Sequence, residues 1–317
     1  MKIVVLDTAP FDHGDIDWEP LRQLGDVELY ASTPANLVDQ RLDGVDIAIT
    51  NKVPIREINI NVARPLKMIS VLATGYNVID VDAAARRGIA VSNVPGYSAA
   101  FTAQTAIALL MELANRTGVH AESVRSGEWA ASPTFSYWKT PLVELAGRTM
   151  LIVGYGTIGR RVATIANALG LHVVLAQFPG RESEDSIFAR VPVDEGFAIA
   201  DVVSLHAPLT DQTRELVNAR RLDLIDPGAL IVNTSRGDLI NENDVAEALK
   251  TGHLAGYAAD VLSTEPPAAD NPLLTAPNTI ITPHIGWASV EARRRLMDET
   301  TQNIAAFLAG HPRNLVN

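Results

Sequence analysis

The chain has 317 residues, 47% of them hydrophobic and 20% charged, a globular composition with length enough for two domains. Acidic side chains outnumber basic ones 37 to 26, a net charge of −11. The summed field repels phosphate and argues against a general nucleic-acid or anionic-membrane binder, leaving only a local basic pocket for one small anion. There is no cysteine, which excludes disulfides, thiolate metal sites, iron–sulfur clusters and a cysteine nucleophile together.

The first hundred residues alternate short apolar runs with helical or loop-like stretches. Runs at 2–6, 27–30, 47–50, 68–72 and 90–92 read as strands, closed by Asp, Gly, Asn or Ser. Their apolarity is continuous rather than alternating, which predicts strands buried on both faces of a parallel sheet. A helix is expected over 80–87, with Asp80 as its cap and Gly88 as its end. Residues 101–115 (FTAQTAIALLMELAN) form a long helix, and 118–126 a second. The segment 127–141 (GEWAASPTFSYWKTP) concentrates Trp129, Phe135, Tyr137 and Trp138 between prolines. It predicts either a loop packed on its own domain or an arm packed on a partner.

From residue 149 the rhythm restarts, with strands expected at 149–153, 172–176, 190–192, 202–205, 230–233, 254–260 and 279–282 and helices at 158–169 and 243–251. Strand–helix alternation of this length is the pattern of a doubly wound sheet. The last helix, 289–309, has no strand after it, so it is expected to return to the first domain. That divides the chain into 1–99 plus 288–317 and an inserted domain over 100–287. No run reaches ~18 apolar residues, the length of a membrane span, and the N-terminal run is short for a signal peptide; a cytoplasmic protein is expected.

Gly154, Tyr155, Gly156, Thr157, Ile158 and Gly159 follow a predicted strand and open a predicted helix. The glycines serve the tight turn, the close approach of backbone to a pyrophosphate and helix–strand packing, and the helix N-terminus faces the phosphates. The acid that grips the adenosine ribose of NAD is expected at the end of the next strand, where Gln177 stands instead, with Arg181 four residues on. A neutral side chain beside an arginine tolerates the 2′-phosphate of NADP as well as NAD.

Beyond the carboxyl ends of later strands lie Arg236, in Thr234-Ser235-Arg236-Gly237, Glu265, before two prolines, and His284, between Pro283 and Gly286. A guanidinium holds a carboxylate bidentately and polarises an adjacent carbonyl. A histidine can give a proton to an alkoxide as hydride arrives, and a neighbouring carboxylate fixes its tautomer. With a nicotinamide supplying the hydride, these three suffice to interconvert a 2-oxo acid and a 2-hydroxy acid. His206 reads as structural or as lining on the adenine side; His13, His120, His172, His253 and His311 read as surface residues.

With these motifs in order, the chain resembles the D-isomer-specific 2-hydroxyacid dehydrogenases over essentially its whole length. The matching blocks are LATGYNVID at 72–80, NVPGYS at 93–98, LVELAGRTMLIVGYGTIGR at 142–160, HAPLT at 206–210, LIVNTSRGDLINENDVAEAL at 230–249, AADVLSTEPP at 258–267 and TPHIGWAS at 282–289. TNKVP at 50–54, FSYW at 135–138, NPLL at 271–274 and NLVN at 314–317 are similar to its glycerate dehydrogenase (hydroxypyruvate reductase) branch. The resemblance implies an α/β protein of two doubly wound parallel-sheet domains, with a Rossmann cofactor domain inserted into a flavodoxin-like substrate domain. It implies His284 as acid–base group, Glu265 as its partner and Arg236 as substrate clamp, with the backbone of Ala73, Thr74 and Gly75 facing the substrate carboxylate. Tyr155, Ile158, Ala207, Pro208, Thr213, Thr234, Ser235, Asp260 and Gly286 would line NAD or NADP. It further implies a homodimer, in which the aromatic arm reaches the partner and Trp138 approaches the partner's site, and no regulatory domain after the last helix. Hydroxypyruvate or glyoxylate is the first expected substrate. Another D-2-hydroxy acid such as lactate, or a non-catalytic NAD(H)-sensing role on the same fold, are the alternatives.

Overall fold

Continuous apolar runs become the inner strands of two parallel sheets in the computed structural model, which describes residues 1–180 and 186–317. The chain divides into two units, Met1–Ser98 with Trp287–Asn317, and Ala99–Gly286.

In the first unit the strands are β1 (Lys2–Val5), β2 (Asp26–Leu29), β3 (Ile47–Thr50), β4 (Met68–Val71) and β5 (Ala90–Ser92), in the order β2-β1-β3-β4-β5. All pairs are parallel. Every residue of β3 and β4 is buried, whereas β2, at the edge, alternates exposed and half-buried positions. The chain order reverses between β1 and β3, and the crevice outside the carboxyl ends at such a reversal is where open α/β sheets bind ligands. Asp7, buried just past β1, accepts from the backbone N–H groups of Asn51 (2.7 Å) and Lys52 (2.6 Å). The Asn51 amide in turn donates to Leu72 O at 2.5 Å, so the loops after β1, β3 and β4 are tied together.

The helix Val81–Arg86 starts as expected, with the Asp80 side chain accepting from Ala83 N at 2.9 Å. The final helix, Val290–Leu308, is capped by Ser289 and buries Leu296, Met297 and Ile304 in the same core as β1, β3 and β4 residues. Its Arg293 is buried and forms a bidentate ion pair with Asp15, 2.6 and 2.7 Å.

The second unit opens with the helices Ala99–Asn115 and Thr117–Arg125. Its strands are β6 (Thr149–Val153), β7 (His172–Gln177), β8 (Ala189–Pro192), β9 (Val202–Leu205), β10 (Ala229–Asn233), β11 (Leu254–Ala259) and β12 (Thr279–Ile281). They are ordered β12-β11-β10-β9-β6-β7-β8, all parallel. Period-two alternation sends Met150 and Ile152 to one face and Leu151 and Val153 to the other. The first face packs under Ala99–Asn115 and Thr157–Ala168, the second under Val193–Ile199 and Glu242–Lys250. At about 1.5–3 kcal/mol for each fully buried large aliphatic side chain, these two layers dominate the stability of the unit. The order reverses between β6 and β9, so the loops after those strands flank this sheet's crevice.

The aromatic segment 127–141 lies on its own unit: Tyr137 Oη bonds Ser123 Oγ, Lys139 N donates to His120 Nε2 at 3.1 Å, and Lys139 Nζ pairs with Glu128 at 2.6 Å. Its rings nonetheless face outward, Phe135 being 91% and Trp138 71% exposed.

Candidate active site

β6 ends at Val153 and runs into Gly154, whose φ of +98° suits glycine. A Cβ there would stand 2.5 Å from Ala207 N and 2.6 Å from His206 C, so the loop after β9 presses on the turn. At Gly159 a Cβ would lie 2.0 Å from Gly154 O; its absence lets the helix Thr157–Ala168 begin directly on the turn. Gly156 is the N-cap and supplies no capping side chain, and among the described residues nothing beyond its chain neighbours and its own helix lies within 4 Å of where its Cβ would be. First-turn N–H groups, Thr157 among them, therefore open onto free space at the positive end of a helix dipole. The half-buried Tyr155 ring meets Phe188 edge-on at 6.4 Å and carries the guanidinium groups of Arg160 and Arg190 at 4.5 and 5.5 Å. Ile158 packs against the buried helix face. Gln177 is the last residue of β7, its amide donating to Phe178 O at 3.3 Å; Arg181 lies outside the described residues.

The loops after β9, β10, β11 and β12 continue along the same carboxyl edge, joined by side-chain bonds. His206 Nε2 and Ser204 Oγ are 2.8 Å apart, and burial pushes this imidazole down to about 4, so it is neutral at pH 7. Ala207 is buried and its carbonyl accepts from Ser235 Oγ at 2.8 Å. Thr213 is a buried strut, donating to Pro208 O (2.7 Å) and accepting from Thr210 N (2.8 Å). The Thr234 hydroxyl is buried and has no hydrogen-bond partner among the described residues, which leaves one polar group for a ligand to satisfy.

Asn233, fully buried at the end of β10, accepts from Ser235 N at 3.0 Å and donates to Arg236 O at 2.9 Å. This turn aims Arg236 outward: its side chain is exposed, donates only to Ser235 O, and pairs with no carboxylate among the described residues. The next residue must be glycine, because a Cβ on Gly237 would sit 1.9 Å from Leu262 C. That contact brings the Arg236 loop against the loop carrying Glu265.

Glu265 Oε1 accepts from Leu262 N at 3.1 Å, and Oε2 accepts from His284 Nδ1 at 2.6 Å. The two side chains are 35% and 32% exposed, so the pair is partly open to solvent. With Nδ1–H given to the carboxylate, His284 Nε2 carries the lone pair or the transferable proton, and it makes no hydrogen bond among the described residues. Glu242 steadies the Glu265 loop, accepting from Ser263 N and Asn271 Nδ2, both at 2.8 Å. Asp260 is buried at the end of β11 and accepts from Thr282 Oγ1, Ile285 N and Gly286 N.

The structure thus brings Arg236, Glu265 and His284 onto adjoining loops of one unit, with the glycine turn on the same sheet edge. The glycine cradle, the uncapped helix start and the orphaned Thr234 hydroxyl fit a dinucleotide. Ala73, Thr74 and Gly75 belong to the first unit, where Thr74 Oγ1 donates to Val94 O at 3.0 Å and Thr74 O accepts from Asn93 Nδ2 at 2.7 Å. Their own backbone N–H groups donate to no acceptor among the described residues.

Two of the histidines read as surface residues are not. His120 bonds Arg116 O at 2.7 Å and receives Lys139 N, and His253 Nε2 lies 2.9 Å from Leu222 O. Both are half-buried; each partner is a backbone group brought in by a turn or a neighbouring element, which spacing alone does not reveal. The sequence reading also passed over Arg160, Arg190, Asn233 and Glu242. Arg190 could have been found from its strand position, since β8 pairs it with Leu175, two residues before Gln177.

Residues 107–286 match the family model of the D-isomer specific 2-hydroxyacid dehydrogenase, NAD binding domain. Over the full length of both chains the protein is 42% identical to a hydroxypyruvate reductase of Blautia hydrogenotrophica. It is 38% identical to a glycerate dehydrogenase of Methylorubrum extorquens, covering 90% of this chain and 89% of the relative. Among solved structures, the NADPH-dependent glyoxylate/hydroxypyruvate reductase of Sinorhizobium meliloti superposes with a TM-score of 0.86 at 26% identity, covering 99% of this chain and 97% of that one. Among the described residues, no helix is long and apolar enough to cross a membrane.

Proposed function

Because the chain belongs to the D-isomer-specific 2-hydroxyacid dehydrogenase family, we propose that it reduces hydroxypyruvate and glyoxylate to D-glycerate and glycolate with a reduced nicotinamide dinucleotide. The 2.6 Å bond between His284 Nδ1 and Glu265 Oε2 carries this reading, on a chain 42% identical to a hydroxypyruvate reductase. The bound nicotinamide supplies the hydride. Arg236 grips the substrate carboxylate and polarises the adjacent carbonyl, and its lack of an acidic partner among the described residues keeps it available. His284 Nε2 delivers the proton to the carbonyl oxygen, while Glu265 keeps Nδ1 protonated and stabilises the imidazolium. The unspent N–H groups of Ala73, Thr74 and Gly75 are suited to a carboxylate oxygen.

Gly154, Gly156, Thr157 and Gly159 hold the diphosphate, and Tyr155, Ile158, Gln177, Ala207, Pro208, Thr213, Thr234, Ser235, Asp260 and Gly286 surround the rest of the dinucleotide. NADP is accepted as well as NAD, because Gln177 brings no negative charge to the 2′-position. The outward-facing Trp129, Phe135 and Trp138 support a homodimer formed on this arm, in a cytoplasmic enzyme.

The test is oxidation of NADH and of NADPH, followed separately by absorbance, with hydroxypyruvate, glyoxylate and pyruvate each offered to the purified protein. Turnover fastest with hydroxypyruvate is expected. Tight cofactor binding with no turnover on any of the three acids would refute the reading. Light scattering on a size-exclusion column checks the dimer.

A further inference from the structure

We propose that Asp260 is the positioning residue that holds His284 ready for proton transfer, acting through the backbone on both sides of it. The proposal rests on the reading of His284 as the acid–base group. His284 has φ +55°, a left-handed conformation that is uncommon for a residue with a Cβ and that persists where the surrounding structure over-determines it. The ring bond to Glu265 cannot impose it, because rotation about χ1 places an imidazole without fixing φ.

What imposes it is a grip on both flanks. Asp260 Oδ1 accepts from Thr282 Oγ1 at 2.6 Å and from Ile285 N at 2.8 Å, and Oδ2 accepts from Gly286 N at 2.6 Å. These donors lie two residues before His284 and one and two residues after it. His284 N closes the turn by donating to Thr282 O at 2.9 Å. A carboxylate is suited to this task because it accepts on both oxygens, whereas an amide presents donors on one side. Asp260 is 2% exposed, so its bonds to the loop are charge-assisted and little weakened by water. Gly286 completes the fit: a Cβ there would meet Oδ2 at 2.7 Å, and its carbonyl is held from the other side by Thr102 Oγ1 at 2.9 Å. Every side-chain bond of Asp260 among the described residues goes to the His284 loop.

The experiment compares Asp260→Asn and Thr282→Val in wild-type and His284→Ala backgrounds. In Asp260→Asn one loop donor faces an amide NH2, and kcat should fall by about 100-fold, the scale of a 1 Å misplacement. The kcat is read at saturating reduced cofactor, because Asp260 also lies beside the dinucleotide, and the KM for the oxo acid should hold. Thr282→Val should give a smaller loss of kcat that Thr282→Ser restores. Added to His284→Ala, Asp260→Asn should cost nothing further. Equal losses in both backgrounds would overturn the proposal, as would a kcat left intact in Asp260→Asn. A second readout needs no substrate: the ring Nδ1–H resonance of His284 in the 15N-labelled protein, assigned by its loss in His284→Ala. It should vanish or broaden in Asp260→Asn, or in Thr282→Val if the first variant does not fold. Its persistence unchanged would overturn the proposal. A wild type inactive on every 2-oxo acid would refute the functional reading, while this resonance still decides the positioning role.

Discussion

Replacing Gly154 by alanine separates packing from ligand space in the glycine turn. The new methyl would enter a gap bounded by backbone, with Ala207 N at 2.5 Å, His206 C at 2.6 Å and His206 O at 2.7 Å. None of these atoms can rotate away as a side-chain tip could. Holding an L-residue at φ +98° costs about 1–2 kcal/mol, and forcing a methyl into a packed site adds about 1–3 kcal/mol. The sum, roughly 2–5 kcal/mol, is a large share of the ~5–15 kcal/mol that holds a typical domain together. Gly156→Ala is the matched control: φ is −83° and nothing among the described residues beyond its chain neighbours and its own helix lies within 4 Å, so its stability cost should stay below about 1 kcal/mol. That same free space is where we place the diphosphate, so Gly156→Ala should weaken the reduced cofactor while barely moving the urea midpoint. Urea denaturation followed by circular dichroism, with cofactor titration by fluorescence, reads both. A Gly154→Ala protein with the wild-type midpoint would refute the packing argument. Unchanged cofactor affinity in Gly156→Ala would refute the assignment of the space.

The acid–base and clamp roles predict different kinetic signatures. His284→Ala should lower kcat with cofactor Kd unchanged, while Arg236→Ala should chiefly raise the oxo-acid KM, and steady-state kinetics with both substrates varied distinguishes them. Gln177→Asp should shift preference from NADPH toward NADH by on the order of tenfold, measured as the ratio of kcat/KM for the two cofactors. Asp15 is held down to about 2 by the Arg293 ion pair, below its unfolded value near 3.8. Its contribution to stability is therefore complete above pH ~4 and lost as pH falls toward 2; Asp15→Asn should flatten that acid limb in urea midpoints taken across the range. His206, pushed down to about 4 by burial, resists a proton that the unfolded chain accepts near 6.5. Stability should decline between pH 6.5 and 4 by at most about 3 kcal/mol from this group, and His206→Gln should remove that decline.

The sequence by itself determined the elements and the chemistry. Ile47–Thr50 and Val202–Leu205 are strands because uninterrupted apolar runs bury both faces, and Asp80 starts its helix because its side chain satisfies an N–H that the helix leaves open. The glycine turn was legible because its demands are local, one residue against the next. The helices Glu57–Val62 and Val193–Ile199 went unread because they are too short to show a clear period against their loops. The tertiary structure alone decided which loops touch. Asp260 and Thr282 are 22 residues apart, and Asn271 and Glu242 are 29; they meet because β10, β11 and β12 lie side by side in the sheet. No spacing along the chain encodes such a meeting, since it depends on the order of strands. The left-handed backbone of His284 belongs to the same class: no local motif announces it, and a buried carboxylate from the neighbouring strand end holds it in place.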